Sequence, residues 1–518
     1  MVKILLTFLK KSHLFDISKH NNVKQQQGVN MGKQNCIENY LYNYAISQPD
    51  KIAVIVKGKS YKYKELFDLS LSYAKHLKEA GVCKGDVVIL KARQAIEFVV
   101  CYFAIHLANA VVSSLEKSCP VSTVESIANQ LSAKAIIDDE VDNPNFIKLR
   151  YSEVMDYANQ KSTFDFEFPE PNDSSDILFT TGTTGKSKGV ELSHRNLVAT
   201  AENLIFGCQY SKDIVLISPG PLNHANAIRK LYTTIVNGST IIILDGLSSI
   251  DDFYDALNYK CEKVACCLVP AFIRIIFQNS ETDLGKYADK IDFIESASSP
   301  LPEADKDRLC ELLPNTRLYN NYGSSESASS CIYDYHKYRG LKNCIGKPMP
   351  NSEIIIVDKD KNPIKSSANN LGYISCKGDV NMKGYKNEKE LTESIMQNGI
   401  IYSQDLGYID EEGFVYIIGR DSDVINVGGL KIAPAEVESV VLSMPGIMDC
   451  ILIEDSNELI VKTIKLLYVA NEEINASKFV KFLRHSLEMY KIPTKYEKVD
   501  KIQRLYNGKL DRKFYKKG

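Results

Sequence analysis

The 518-residue sequence has no excess of charge of either sign. Its 63 lysines and arginines stand against 65 aspartates and glutamates, which removes any global electrostatic argument for a nucleic-acid or membrane-surface partner. Long apolar runs are missing too. The opening "MVKILLTFLKK" holds a brief apolar stretch, too short for a signal-peptide core and far short of a membrane span; residues 1–30 are expected to be an accessory extension, with Met31 an alternative start. The thirteen cysteines are scattered from Cys36 to Cys450 without a Cys-x-x-Cys pair or histidines at zinc spacing, so a reduced, cytosolic chain is expected rather than a disulfide framework. There is no internal repeat and no low-complexity linker.

What is present is ordinary for a globular chain: 44% hydrophobic and 25% charged residues, enough apolar surface to offset chain entropy. The length calls for more than one domain. From residue 36 onward, stretches of helical period alternate with short β-rich runs: "KIAVIV", "DVVIL", "KAIIDD", "DIVLISP", "STIIILDG", "KVACCLVP" and "KIDFIESA". This predicts layered α/β structure. A β-rich, turn-rich block follows from "EIIIVDKDKNPI" to "GFVYIIGR" and is read as the end of a large domain over 31–419. Beyond Arg420 the pattern restarts as a strand, a Gly-Gly turn and a helix entered through Pro434, then strands in "DCILIEDSNELIVKTIKLLYVA" and an amphipathic helix over "NASKFVKFLRHSLEMYKIP". A small α+β domain is therefore expected over 420–518, joined at about 419–423.

The densest chemical signal is "TTGTTGKSKG", Thr180 to Gly189. A P-loop of the form G-x-x-x-x-G-K-[ST] ending at Gly185-Lys186-Ser187 would need glycine where Thr180 stands, so that reading fails at its first residue. No G-x-G-x-x-G follows a strand here either. The segment still suits a polyphosphate. Glycines 182, 185 and 189 let backbone N–H groups converge on an anion, the hydroxyls of Thr180, Thr181, Thr183 and Thr184 add donors, and Lys188 adds a full charge. The loop is expected between an apolar strand and a helix formed by "VELSHRNLVATAENLI".

This stretch resembles the phosphate-loop motif of the adenylate-forming superfamily: acyl-CoA synthetases, peptide-synthetase adenylation domains and luciferase-like enzymes. Further motifs resembling theirs occur in family order from about residue 36 to 513. "PLNHANAI" is similar to the second core motif, where a ring at the His224 position borders the acid pocket, with Ala225, Arg229 and Ala297 implied along it. "NNYGSSES" resembles the Y-G-x-T-E motif. It implies a nucleotide site of Asn321, Tyr322 and Gly323, with Tyr322 against adenine, Ser325 near the phosphates and Glu326 reaching Mg²⁺ together with Thr181. "YSQDLG" implies Asp405 on the ribose hydroxyls, and "GRDSDVINVGGLKI" implies a hinge with Arg420 near ribose and phosphate and Gly429 in a thiol channel. "YNGKLDRK" implies Lys509 as the lysine meeting the acid and the α-phosphate. The residue types fit this chemistry: two anions must approach one another, so Lys188, Lys509 and Mg²⁺ would screen their repulsion.

The resemblance implies ATP, Mg²⁺ and coenzyme A as cofactors and a small-molecule carboxylic acid as substrate, or a carrier-protein phosphopantetheine in place of CoA. It is imperfect. Ser187 stands for a proline and Ser325 for a threonine; Gln404 replaces the glycine before Asp405, which would crowd the ribose; Ser422 occupies the joint position. Members that activate amino acids place an aspartate where this chain has Ala225. A free ammonium would find no counter-ion there, so a non-amino acid is expected. Arg229, one helical turn beyond Ala225, either faces the pocket and meets a polar or second anionic group or is solvated.

Overall fold

The computed structural model describes residues 34–181, 187–246, 250–427, 430–456, 462–504 and 510–515. Two large sheets dominate. A seven-stranded sheet holds Val87–Ala92, Val111–Glu116 and Ala135–Ile137 in parallel and the antiparallel pair Ser174–Thr181 and Ser187–Ser193. A fourteen-stranded sheet has a central run of parallel neighbours, Thr240–Ile243, Val215–Ser218, Val264–Leu268 and Ile291–Ser296 in that order, and turns antiparallel after Arg317–Ser324. Every β-rich run read in the sequence up to residue 297 forms a strand. The parallel strands are buried on both faces, which is why they read as unbroken apolar runs such as Val264–Leu268.

The antiparallel strands Gly372–Lys377, Ile400–Ile409 and Val415–Arg420 extend the same sheet. Residues from 425 onward build two small sheets of their own. They enclose a separate apolar core that includes Ile432, Val437, Leu466 and Phe479. Arg274 Nη1 donates to the Met448 carbonyl at 3.0 Å, one tie between this part and the rest.

Two local expectations are corrected. The segment after the Thr/Gly-rich loop is a strand, Ser187–Ser193, before it is a helix; the helix begins at His194, where the Ser193 hydroxyl accepts from the Asn196 amide. The strands on either side of the loop, Ser174–Thr181 and Ser187–Ser193, pair antiparallel. Near the C-terminus, the helix is only Ala476–Leu483. Leu487 and Ile492 then drop into the small core through irregular backbone instead of prolonging the helical stripe.

Beneath the loop's flanking strands, three helices bring ionisable groups into full burial. Glu38 Oε1 lies 2.7 Å from His106 Nδ1 and Glu38 Oε2 lies 3.4 Å from His194 Nδ1, while His106 Nε2 faces the Ser175 carbonyl at 3.2 Å and Asp176 Oδ2 at 3.6 Å. Burial would raise the Glu38 carboxyl, yet the two histidines hold it well below the usual range. Burial would lower His106, and Glu38 with Asp176 keeps it raised. The pair is therefore a buried imidazolium–carboxylate. Its contribution is lost as pH rises through the elevated His106 value, and lost again as pH falls through the depressed Glu38 value. Glu38→Gln is expected to cost about 1.5–3 kcal/mol at pH 5–6.5 and less at pH 9. A stability difference from wild type that stays constant from pH 5 to 9 in urea titrations would count against the charged pair.

Candidate active site

The strand pair flanking the Thr/Gly-rich loop sets Thr180 opposite Lys188 and Thr181 opposite Ser187. Lys188 therefore leaves the strand pair just after the loop, its ammonium 5.3 Å from the centre of the Tyr385 ring. Tyr385 is fixed by a two-residue edge strand that pairs with Val190 and Glu191. Its hydroxyl donates to Glu326 Oε1 at 2.7 Å. Burial and the neighbouring Glu326 carboxylate push that phenol well above its ordinary value, so it remains a donor. Three segments distant in sequence thus meet as Lys188, Tyr385 and Glu326.

Glu326 sits in the tight connection between Arg317–Ser324 and Ala328–Asp334. The Ser324 hydroxyl accepts from the Glu326 and Ser327 amides at 3.1 and 3.0 Å. Gly323 stands where the register slips, and a Cβ there would meet the Ala328 carbonyl oxygen at 1.5 Å, so only glycine fits. Ser325 lies half-buried in the same connection.

A second cluster forms around Asp405. Tyr322 donates its hydroxyl to Asp405 Oδ2 at 2.6 Å, and Arg420 Nε donates to Oδ1 at 3.0 Å. Asp405 and Arg420 are directly opposed on neighbouring antiparallel strands. The Tyr322 ring also packs on the apolar cluster of Ala199, Cys331 and Ile345. Gln404 is exposed while Asp405 is buried, so alternation along the strand sends Gln404 to the other face; the expected crowding beside Asp405 does not occur.

Asn321 departs from its expected place beside the nucleotide. It points to the side opposite Tyr322, where its amide nitrogen donates to Glu295 Oε1 at 2.7 Å and Ser329 Oγ at 3.0 Å. Glu295 also takes the Lys230 ammonium at 2.6 Å, and both side chains are fully buried. Burial would lower Lys230; Glu295 keeps it raised. Lys230 and its neighbour Arg229 belong to the helix Ala225–Asn237, which His224 precedes as N-cap. Arg229 is not solvated: it is 7% exposed and donates from Nη2 to the Ser324 carbonyl at 2.7 Å. Ala297 is buried just past the end of the Glu295 strand.

Sequence reasoning missed Tyr385, Lys230 and Glu295. The last two had a signal, a charge inside an otherwise apolar helix or strand; Tyr385 had none. Of the residues singled out, Gly182, Thr183, Thr184, Gly185, Gly429, Lys509 and the Thr181 side chain lie outside the described residues.

The chain compares closely with known proteins over nearly its whole length. The 2-succinylbenzoate–CoA ligase of Bacillus cereus (strain AH820) is 26% identical over 479 residues, covering 92% of this chain and 97% of that one. Zwittermicin A synthase ZmaJ of Bacillus cereus is 26% identical over 500 residues, with 92% and 94% covered. Among solved structures, the Bacillus subtilis o-succinylbenzoate CoA synthetase MenE in complex with the acyl-adenylate intermediate OSB-AMP superposes with a TM-score of 0.81 at 25% identity, over 92% of this chain and 98% of that one. ATP-bound MatB from Rhodopseudomonas palustris shares the fold, with a TM-score of 0.84 at 23% identity over 94% and 99%. The family model for AMP-binding enzymes matches residues 42–386. The chain is a member of the AMP-binding enzyme family.

Proposed function

We propose that the protein is an AMP-forming acid–thiol ligase that activates a non-amino carboxylic acid with ATP and passes the acyl group to coenzyme A. The observation that carries this reading is the meeting of Lys188, Tyr385 and Glu326, which joins the polyphosphate-type loop to the Tyr322–Glu326 connection. In the first half-reaction a carboxylate oxygen of the acid attacks the α-phosphorus of ATP, and the bond to pyrophosphate breaks. Lys188 offsets charge on the phosphates, Asp405 accepts from the ribose hydroxyls, and His224 with Ala225 and Ala297 borders the acid. Glu326 fits a Mg²⁺ site as a hard oxygen donor, with Oε1 oriented by Tyr385; when bound, the ion neutralises phosphate charge. In the second half-reaction the CoA thiol attacks the acyl carbon and AMP leaves.

The small C-terminal part is proposed to turn about Gly419 to Ser422, presenting Lys509 for adenylation and Gly429 for the thiol. The experiment is ATP–pyrophosphate exchange across a panel of acids, followed by CoA consumption. Acid-dependent exchange with thioester formation is the expected result. Exchange without use of free CoA would point to a carrier-protein thiol, and ATP binding without exchange would reject the ligase reading. Lys509→Ala is expected to abolish exchange and still convert supplied acyl-adenylate to thioester; Gly429→Leu is expected to do the reverse. Loss of both half-reactions in both folded variants would reject the two orientations. A cytoplasmic location is part of this proposal; among the described residues no helix is long and apolar enough to cross a membrane.

A further inference from the structure

Arg229 is a buried cation without a counter-ion. It is 7% exposed, its Nη2 is engaged by a neutral carbonyl, and its Nε is buried without a hydrogen-bond partner. Among the described residues no carboxylate lies within ion-pair distance of it. Lys230, the next residue, has Glu295 at 2.6 Å, so the absence is particular to Arg229. Burial lowers the Arg229 pKa, and against that fall act Tyr232, a phenol that also shares a hydrogen bond with it, and the more distant Glu326 and Glu295, neither of which forms an ion pair with it. Guanidinium stays protonated in proteins, and a desolvated charge left unpaired is costly unless a ligand completes it. Its position reinforces the point: it lies four residues into a helix whose N-terminal end carries partial positive charge.

We infer that Arg229 is the receptor for a second anionic group on the acid substrate, so that the substrate class is dicarboxylic or otherwise doubly acidic. This rests on the proposed ligase reading. The alternative anion is a phosphate of ATP. The acid is favoured because Arg229 shares a helical face with Ala225, at i and i+4, and because Lys188 already serves the polyphosphate-type loop. A planar fork of donors suits a carboxylate, which can take two parallel N–H bonds at once.

The test uses the full-length protein in pyrophosphate exchange with matched pairs of acids: butyrate against glutarate, and benzoate against phthalate. Wild type is expected to prefer the diacid in at least one pair, and Arg229→Met to lose about 10²-fold in kcat/KM for that diacid with the KM for ATP unchanged. Arg229→Lys, which keeps the charge and loses the fork, is expected to recover part of the loss. Preference for the monoacids in wild type, unaltered by Arg229→Met, overturns the inference and leaves the ligase reading standing. A rise in the KM for ATP shared by all acids overturns it in favour of phosphate binding. No exchange with any acid, despite ATP binding, overturns the ligase reading and this inference together. Circular dichroism and urea titration of each variant separate these results from misfolding.

Discussion

Lys188→Ala is expected to lower kcat/KM for ATP by about 10²–10³, the usual loss when one preorganised charged donor is removed from a site where charge develops. The fold should survive, because among the described residues the contact of the ammonium is with the Tyr385 ring at 5.3 Å, and the strands Ser174–Thr181 and Ser187–Ser193 are held together by backbone pairing. Tyr385→Phe separates two roles. It keeps the ring beneath Lys188 and removes only the hydroxyl that orients Glu326, so a smaller loss, relieved in part by raised Mg²⁺, is expected. Steady-state kinetics in which Lys188→Ala matches wild type would remove the Thr/Gly-rich loop from the reaction.

Lys230→Met is expected to destabilise the protein by about 3–5 kcal/mol, because it leaves Glu295 buried with its charge uncompensated. Asn321 and Ser329 cannot replace an ammonium. Replacing both partners in the double variant Lys230→Met/Glu295→Leu should restore most of that loss, since an apolar pair of similar volume avoids the desolvation cost of both ions. Urea titrations of wild type, the two single variants and the double variant form a cycle. Additive losses would show that the two side chains, although 2.6 Å apart, are not energetically coupled.

The contrast between these two sites explains what the sequence could disclose. Strands such as Val264–Leu268 and Ile291–Ser296 were legible because burial on both faces leaves an apolar run that length and flanking turns delimit. Val190–Ser193 reads as the start of a helix because it runs without a break into "HRNLVATAENLI", and the strand character of Ser187–Ser193 comes from pairing with Ser174–Thr181. The candidate residues near Glu326 and Asp405 were legible through motif resemblance alone. Their partners were not: Tyr385 reaches Glu326 across 59 positions and Tyr322 reaches Asp405 across 83, contacts that no local pattern encodes. Arg229 shows the remaining limit. Helical spacing placed it on the Ala225 face, but only its neighbours could decide between burial and solvent.

The opposed pair Asp405 and Arg420 has a further consequence. Arg420 is the last residue of its strand and adjoins the segment about which the C-terminal part is proposed to turn. Any rotation that draws its guanidinium away gives up a charge-assisted hydrogen bond, worth about 1 kcal/mol once screening of the half-exposed arginine is allowed for. That biases the population of orientations by about fivefold toward the one that keeps the contact. On the proposed reading the ribose hydroxyls bind the same carboxylate, and linkage is reciprocal: a nucleotide that binds one orientation more tightly shifts the balance toward it, and whatever favours that orientation tightens the nucleotide by the same factor.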